Sequence, residues 1–221
     1  MREVVLDTET TGLDPAAGHR IVEIGCVELV NHVATGRHFH TYVNPQREIP
    51  DGAKAIHGLT AEFLGGQPTF AAIVDELHAF IADATLVIHN AEFDLGFLNF
   101  ELQKLGQPQL PIERAIDTML LARRKFPGAP ANLDALCRRF QIDNSDRTLH
   151  GALKDARLLA EVYLELIGGR QRDLGLAASG SRSAEAGTQS RRTPRPHAPT
   201  PEEEMAHTAF VDRLQSPIWR S

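Results

Sequence analysis

Four acidic side chains occupy positions that the surrounding pattern predicts to be inward-facing. Asp7 and Glu9 follow the apolar run of a short strand, and residues i and i+2 of a strand project from the same face, so their carboxylates should lie side by side. Like charges that close repel, and the pair is costly unless a cation lies between them. The simpler interpretation is that the strand ends there in a turn, since TGLDP follows.

Asp94 and Asp155 each head the apolar stripe of a predicted helix. Asp94 is followed at helical spacing by Phe97, Leu98, Leu102 and Leu105, and Asp155 by Leu158, Leu159 and Val162. A helix dipole would explain an acid in the first turn, but not one that faces the core. Four inward carboxylates would form an oxygen-rich site, which suits Mg²⁺ or Mn²⁺ better than zinc.

His150 precedes Asp155 by five residues. On a helix that offset is about 140°, so the two side chains would not share a face. We therefore expect His150 in the loop that leads into the helix, beside the metal site and exposed to solvent. A neutral imidazole there could take a proton from an attacking water as a general base.

Strand and helix patterns alternate over residues 1–167 and must position these groups. Predicted strands are Glu3–Asp7, Ile21–Val30, His38–Val43, Thr85–His89 and Ile112–Asp117, and predicted helices are Phe70–Ala82, Glu92–Leu105, Leu133–Phe140 capped by Asn132, and Gly151–Ile167. The first three strands should form an antiparallel meander. This order predicts an α/β domain with a mixed five-stranded sheet flanked by helices.

Composition excludes several classes of protein. The 221-residue chain is 42% hydrophobic and 24% charged, with a net charge of −6, so it is no simple basic nucleic-acid clamp. No apolar run approaches the roughly 20 residues that span a bilayer, and the first ten residues carry acids where a signal peptide would be apolar. We therefore expect a cytoplasmic protein without membrane association. Cys26 and Cys137 stand alone in apolar runs and should be buried reduced thiols.

The composition changes after residue 167. Residues 168–200 hold six arginines, two acids and two large apolar residues, Leu174 and Leu176, so this linker should be disordered. Residues 201–221 form a separate tail, in which Thr200 can cap a short helix that begins at Pro201. The tail ends with Ile218 and Trp219, which should dock on another protein.

Three segments together resemble the DnaQ-like DEDDh family of 3′–5′ exonucleases. VVLDTETTGLDP resembles the first family motif, VIHNAEFDLGFL the second and LHGALKDARLLAEVY the third. AIHGLT, NLDALCRRFQIDNS and the terminal IWR resemble the proofreading members. The resemblance implies a ribonuclease H-like fold and hydrolysis with two divalent cations, Mg²⁺ or Mn²⁺.

The resemblance also implies roles for single residues. Asp7, Glu9 and Asp155 would hold the first metal, Asp7 would also touch the second, and Asp94 would bind mainly through water. His150 would be the general base. The residues implied to touch the substrate are Asp7, Glu9, Asp155 and His57. Bound cations would offset the negative charge of the acidic residues and so allow a polyanionic substrate to bind.

The implied partners are a DNA 3′ end and the catalytic subunit of a bacterial replicative polymerase, which the tail would bind. Gln171, Leu174 and Leu176 resemble the Q-x-x-L-x-L peptide that binds sliding clamps. The leading hypothesis is a proofreading exonuclease that removes mispaired 3′ nucleotides. An RNA-trimming DEDDh ribonuclease and a non-catalytic adaptor between clamp and polymerase are the alternatives, and the inward polar groups disfavour the adaptor.

Overall fold

The computed structural model describes residues 1–145, 149–168 and 198–214. The chain divides into two compact units, Met1–Asp173 and Leu174–Ser221. In the described ranges no helix is both long and apolar enough to cross a membrane. Cys26 and Cys137 are buried thiols, as predicted.

The first three strands form the predicted antiparallel meander. They are β1 (Arg2–Thr10), β2 (Ile21–Val30) and β3 (Val33–Tyr42). The prediction that β3 begins at His38 was wrong, because Asn31 and His32 make a tight turn with positive φ and β3 starts directly after it. Most of the β3 side chains are exposed at the sheet edge, so they give little hydrophobic signal.

Two short parallel strands complete the mixed sheet. β4 (Thr85–Ile88) pairs with β1, and β5 (Ala115–Asp117) pairs with β4, which gives the order β3-β2-β1-β4-β5. The fifth strand was predicted from Ile112, but Ile112–Arg114 is a turn of 3₁₀ helix after Pro111.

Helices cover both faces of the sheet. Val4 and Leu6 of β1 pack with α3 (Phe70–Ile81) and α4 (Ala91–Lys104), whereas Val5 packs with α6 (Leu133–Phe140) and α7 (Ala152–Leu166). Because neighbouring residues of a strand point to opposite faces, these two clusters lie on opposite sides of the sheet. The four predicted helices are confirmed, and Asn132 accepts a hydrogen bond from the Ala135 backbone N–H as the predicted cap.

Three further helices were not predicted. They are α1 (Asp51–His57), α2 (Ala61–Gly65) and α5 (Thr118–Lys125). Each has only five to eight residues, which is too short for a clear period of 3.6. Two of them, α1 and α5, help to build the site described below.

The second unit contains one described helix, α8 (Pro201–Val211). Thr200 caps it as predicted, and the Thr200 backbone N–H donates to the Glu203 carboxylate. Met205 and Phe210 are exposed. Gln171, Leu174, Leu176, Ile218 and Trp219 lie outside the described residues, as does most of the predicted linker, so their roles stay predictions.

Candidate active site

Asp7 and Glu9 lie within β1, which continues to Thr10 instead of ending at Asp7 as predicted. The strand extends because its pairing with β2 persists to Thr10 opposite Ile21. The two carboxylates occupy alternate positions and share the face of Val5, toward α7. Glu9 is buried and Asp7 is half-buried. The first two predicted carboxylates are therefore on one face, as expected.

A glycine in β2 allows α7 to approach these carboxylates. Gly25 is the register partner of Asp7. A Cβ atom at this position would lie 2.2 Å from the backbone N of Leu153 and 2.3 Å from the carbonyl carbon of Ala152. Any larger residue would push the first turn of α7 off the sheet. Asp155 lies in that first turn and is buried, so this close contact sets its position beside β1.

His150 lies in the loop just before α7, as predicted. Its backbone N–H donates to the carbonyl of Ile56, at 3.1 Å, so α1 holds the loop in place. The imidazole Nδ1 is 3.4 Å from Asp155 Oδ2, and the His150 side chain is 46% exposed. One ring nitrogen therefore faces the carboxylate while much of the ring is open to solvent.

Glu9, His150 and Asp155 form a compact group of potential metal ligands. One ligand atom from each lies within 4.8 Å of the other two. Two of the three are buried carboxylates, which are the hard oxygen donors that Mg²⁺ and Mn²⁺ prefer. The donor set therefore fits a divalent cation. Among the described residues, Asp7 and Asp94 are not members of this compact group.

Asp94 approaches from the opposite layer. Its Oδ1 accepts hydrogen bonds from the Thr8 backbone N–H (2.9 Å) and the Thr8 hydroxyl (2.7 Å). The pairing of β1 with β4 reaches only to Val5, and Thr8 lies beyond it. Burial raises the pKa of Asp94 to about 7, against the lowering effect of the Thr8 hydrogen bonds, and the charge of Asp117 adds to the rise.

The charges of Asp7 and Asp94 act on a common neighbour. Burial raises the pKa of Cys26, and the negative charges of Asp7 and then Asp94 raise it further. Both carboxylates are therefore close enough to Cys26 for their fields to matter in a low-dielectric interior. A divalent cation in this region would favour the ionised forms of these acids.

Sequence reasoning missed Asp117, which joins two helices. Its carboxylate caps α5 by accepting from the backbone N–H of Met119 (2.8 Å) and of Leu120 (3.1 Å). The same carboxylate accepts from the N–H of Asn90 (3.3 Å) and of Ala91 (3.1 Å), at the start of α4. Because α4 carries Asp94, Asp117 fixes the helix end that places this acid.

A cleft of about 580 Å³ opens beside Glu9. Its walls include Leu13, Ile56 and Phe93, together with Thr8 and His57. His57 is buried, and its Nδ1 accepts from the Leu59 N–H at 3.0 Å, so the ring proton belongs on Nε2. Burial lowers the pKa of His57, which favours this neutral form.

The Nε2 atom of His57 is buried without a hydrogen-bond partner among the described residues. A buried N–H donor without a partner is destabilising, and such groups often serve a ligand. The sequence pointed to His57 only through the HG element of the resemblance, and its buried Nε2 is a separate, structural reason to consider it for the site.

Comparison with known proteins agrees with this geometry. The family model described as "Exonuclease" matches residues 4–163. The chain is 50% identical to DNA polymerase III subunit epsilon of Rickettsia conorii over 222 residues, covering 97% of this chain and 96% of the relative. It is 43% identical to the Escherichia coli K12 subunit epsilon over 239 residues, covering 100% and 98%.

Solved structures show the same fold. Exonuclease X in complex with 5′ overhanging duplex DNA superposes with a TM-score of 0.59 at 27% identity, covering 76% of this chain and 92% of that one. The nuclease domain of 3′hExo, a DEDDh family member bound to rAMP, gives 0.66 at 19% identity with the same coverage. This chain therefore belongs to the exonuclease family, together with the epsilon subunits of DNA polymerase III, and it is a 3′–5′ exonuclease.

Proposed function

We propose that this chain removes mispaired nucleotides from the 3′ end of DNA as the proofreading subunit of a bacterial replicative polymerase. The observation that carries the proposal is the compact group of Glu9, His150 and Asp155, of which Glu9 also lines the neighbouring cleft of about 580 Å³. The two relatives of 43–50% identity that span almost the whole chain are named subunits of DNA polymerase III, which supports the DNA substrate and the partner. We also place the protein in the cytoplasm.

We assign the metal-binding role to the acidic group. Asp7, Glu9 and Asp155 would hold one divalent cation, Asp7 would also touch a second, and Asp94 would contribute mainly through water. The DEDDh family is dependent on divalent metal, and Mg²⁺ or Mn²⁺ bound there would stabilise negative charge on the attacking and leaving oxygens. The burial of Glu9 and Asp155 beside each other supports this assignment, because two such charges need a cation.

His150 acts as the general base in this proposal. Asp155 faces Nδ1 and favours the tautomer in which that nitrogen carries the proton, so Nε2 is free to accept one. The oxygen of a water forms a bond to the phosphorus of the terminal phosphodiester and the water gives one proton to His150 Nε2, while the bond from phosphorus to the 3′ oxygen breaks and that oxygen takes a proton from solvent. The products are a nucleoside 5′-monophosphate and a strand shorter by one nucleotide.

The cleft is suited to an unpaired terminal nucleotide. Phe93, Ile56 and Leu13 provide apolar walls for a base and sugar, and the Nε2–H of His57 provides a buried donor for a polar group of that nucleotide. Asp7, Glu9 and Asp155 would meet the scissile phosphate through the cations. A duplex end must open before its last nucleotide can enter, and opening is cheapest at a mismatch. This gives a physical basis for proofreading.

Hydrolysis of matched substrates tests the proposal. The full chain would be incubated with 3′-labelled DNA that ends in a pair or a mispair, and with RNA of the same sequence, in Mg²⁺ or in EDTA. We expect release of monophosphates from DNA in Mg²⁺ only, and faster release from the mispair. Faster release from RNA would favour the RNA-trimming alternative, and no release from any substrate would favour the adaptor.

We further propose that residues 201–221 dock on the polymerase catalytic subunit and that residues 168–200 act as a tether. The capped helix α8 with its exposed Met205 and Phe210 supports docking, since apolar side chains on a short helix need a partner surface. Ile218 and Trp219 would be further anchors, and Gln171, Leu174 and Leu176 would bind a sliding clamp.

Two variants separate these contacts. Deletion of residues 201–221 should abolish co-purification with the polymerase subunit and leave hydrolysis of a short single strand intact. Replacement of both Leu174 and Leu176 by Ala should weaken clamp binding and leave polymerase binding intact. Polymerase binding by the deletion variant would move the anchor to the nuclease unit, and loss of nuclease activity would mean that the tail supports the fold.

A further inference from the structure

A further buried acid, Glu23, lies next to the proposed catalytic group. Glu23 of β2 is the register partner of Glu9 in β1, and both side chains are buried. Cβ atoms of directly opposed residues are about 4.5–5.5 Å apart, and like charges in this position are destabilising. The assigned metal ligands do not include Glu23, so its burial beside Glu9 needs another explanation.

His40 of β3 provides a hydrogen-bond partner for Glu23. Its Nε2 lies 2.7 Å from Glu23 Oε1, within hydrogen-bond distance. The ring of Tyr42 packs edge-on against His40, with centroids 5.0 Å apart, and Phe63 packs against Tyr42 at 4.9 Å. Burial raises the pKa of Tyr42, and the charge of Glu23 raises it further. The imidazole is therefore held by a carboxylate on one side and by an aromatic ring on the other.

The Glu23 carboxylate lies close to the joint that carries the proposed general base. Among the described residues, apart from the chain neighbours of Gly151, the atoms nearest to a Cβ built on Gly151 would be Oε1 and Oε2 of Glu23, both at 4.0 Å. Gly151 immediately follows His150, and its carbonyl accepts the N–H of Asp155 at 2.9 Å. Glu23 thus lies beside the residue that links the proposed base to the helix of the buried acid, with space for a methyl group between them.

We propose that Glu23 and His40 form a positioning pair that fixes the His150–Gly151 joint. The inference rests on the proposed role of His150 as the base. His40 makes it possible to bury Glu23 beside Glu9, and the carboxylate of Glu23 limits the backbone positions open to Gly151. His150 is thereby kept where Nδ1 meets Asp155. Neither member of the pair touches the substrate.

A matched pair of variants tests this role. Glu23→Gln keeps the size of the side chain and removes its charge. Glu28→Gln is the control, because Glu28 lies on the same strand, is equally buried at 4% exposure and is ion-paired with Arg2 and Arg37 instead. On a short single strand with saturating Mg²⁺, Glu23→Gln should lower kcat roughly 10- to 100-fold and leave KM within about twofold. Glu28→Gln should keep the kcat of the parent protein.

A double-mutant cycle separates positioning from a general loss of structure. If Glu23 acts through His150, Glu23→Gln should cause no further loss of kcat in a His150→Ala background. A multiplicative loss there, or a kcat for Glu23→Gln within twofold of the parent, would overturn the inference. If Glu23→Gln does not fold, His40→Leu is measured in its place, with the same expected effects on kcat alone and in the His150→Ala background. Parental activity of His150→Ala alone would instead refute the base assignment.

A measurement without metal or substrate completes the test. In protein with ¹³C-labelled histidine, the ring signals of His150 can be assigned by their absence in His150→Ala. Glu23→Gln should shift or broaden these signals, and Glu28→Gln should leave them in place. Unchanged His150 signals in Glu23→Gln would contradict a positioning role.

Discussion

Glu28 and Asp94 are both buried carboxylates, but their surroundings act in opposite directions. Glu28, at the end of β2 away from the cleft, accepts from Arg2 at 2.8 Å and from Arg37 at 3.0 Å, and the bond to Arg2 is the main reason that its pKa is lowered. Asp94 accepts from the neutral donors of Thr8, and burial raises its pKa to about 7. The fold therefore supplies Glu28 with cationic partners, which are the guanidinium groups of Arg2 and Arg37.

The contrast separates structural acids from the acids that we propose to be catalytic. Arg20 likewise supplies both oxygens of the buried Glu101 with a guanidinium partner. At the cleft, Glu9 and Asp155 instead lie close to each other and to an imidazole. Such a set is unfavourable by itself and favourable around a divalent cation. The fold therefore gives Glu28 and Glu101 guanidinium partners, whereas it groups Glu9 and Asp155 in the way that a divalent cation requires.

The largest effect should come from Asp155→Asn, which is isosteric and removes one charge beside Glu9. We expect hydrolysis to be abolished in Mg²⁺. Without metal, the free energy of unfolding should stay equal or rise, because carboxylate repulsion is relieved. Asp7→Ala should also abolish hydrolysis. Activity assays and denaturant unfolding in EDTA measure both quantities.

Glu28→Gln should show the reverse of this behaviour. It should lose stability, because two guanidinium groups lose their charged partner, and keep its hydrolytic activity. Near-parental hydrolysis by Asp155→Asn would show that Asp155 is not part of the catalytic site. The distinction between structural and proposed catalytic acids would then fail.

Metal binding should sharpen the same contrast. A cation that binds only the folded state stabilises it by about 2.7 kcal/mol at 100 times its Kd. Mn²⁺ should therefore raise the Tm of the parent protein and of Glu28→Gln, but not that of Asp155→Asn. Thermal unfolding over a Mn²⁺ titration measures this, and an equal rise of Tm in all three proteins would place the cation elsewhere.

Much of the site could be predicted because its signals are local in the sequence. Asp94 and Asp155 each interrupt an apolar helix stripe, and both are buried as expected. The spacing of His150 and Asp155 correctly placed the histidine in a loop. Of the four predicted acids, Glu9 and Asp155 join His150 in the compact group, whereas Asp7 and Asp94 lie outside it.

The parts that could not be predicted depend on contacts between distant segments. Glu23 and His40 meet only through the register of three strands, which a single sequence does not fix. The turn at Asn31–His32 moved the start of β3 by five residues from the prediction, because an exposed edge strand lacks alternation. Asp117 did carry a signal, since an acid directly before a helix is a typical N-cap, but α5 itself was not recognised.

A smaller effect on activity is expected for Asp117. Its carboxylate accepts hydrogen bonds from backbone N–H groups and is not assigned to the cation. Asp117→Ala removes the cap of α5 and the contacts to the start of α4, and a lost cap costs about 1–2 kcal/mol. Activity should fall in part, since α4 carries Asp94. Asp117→Asn keeps one acceptor oxygen and should lose less of both. Denaturant unfolding and single-strand hydrolysis report the two effects, and full activity of a destabilised Asp117→Ala would show that Asp94 is positioned without this cap.

The smallest effect concerns His57, a buried imidazole whose partner is a backbone N–H, in contrast to His40 with its carboxylate. Burial lowers the pKa of His57 from its ordinary 6.5, so the unfolded chain binds a proton more readily than the folded one. The folded state therefore loses stability as pH falls below about 6.5, by at most about 1.4 kcal/mol per pH unit for one proton. His57→Asn keeps an acceptor for the Leu59 N–H and does not titrate. Denaturant unfolding at pH 7.5 and pH 5.5 should show a smaller decrease in the free energy of unfolding for this variant than for the parent.

His38→Gln, on the exposed edge strand, serves as the control for the loss of one histidine. Equal decreases in parent and His57→Asn would mean that His57 is charged in the folded protein, and its Nε2–H would then have to be stabilised by an acid of the cleft.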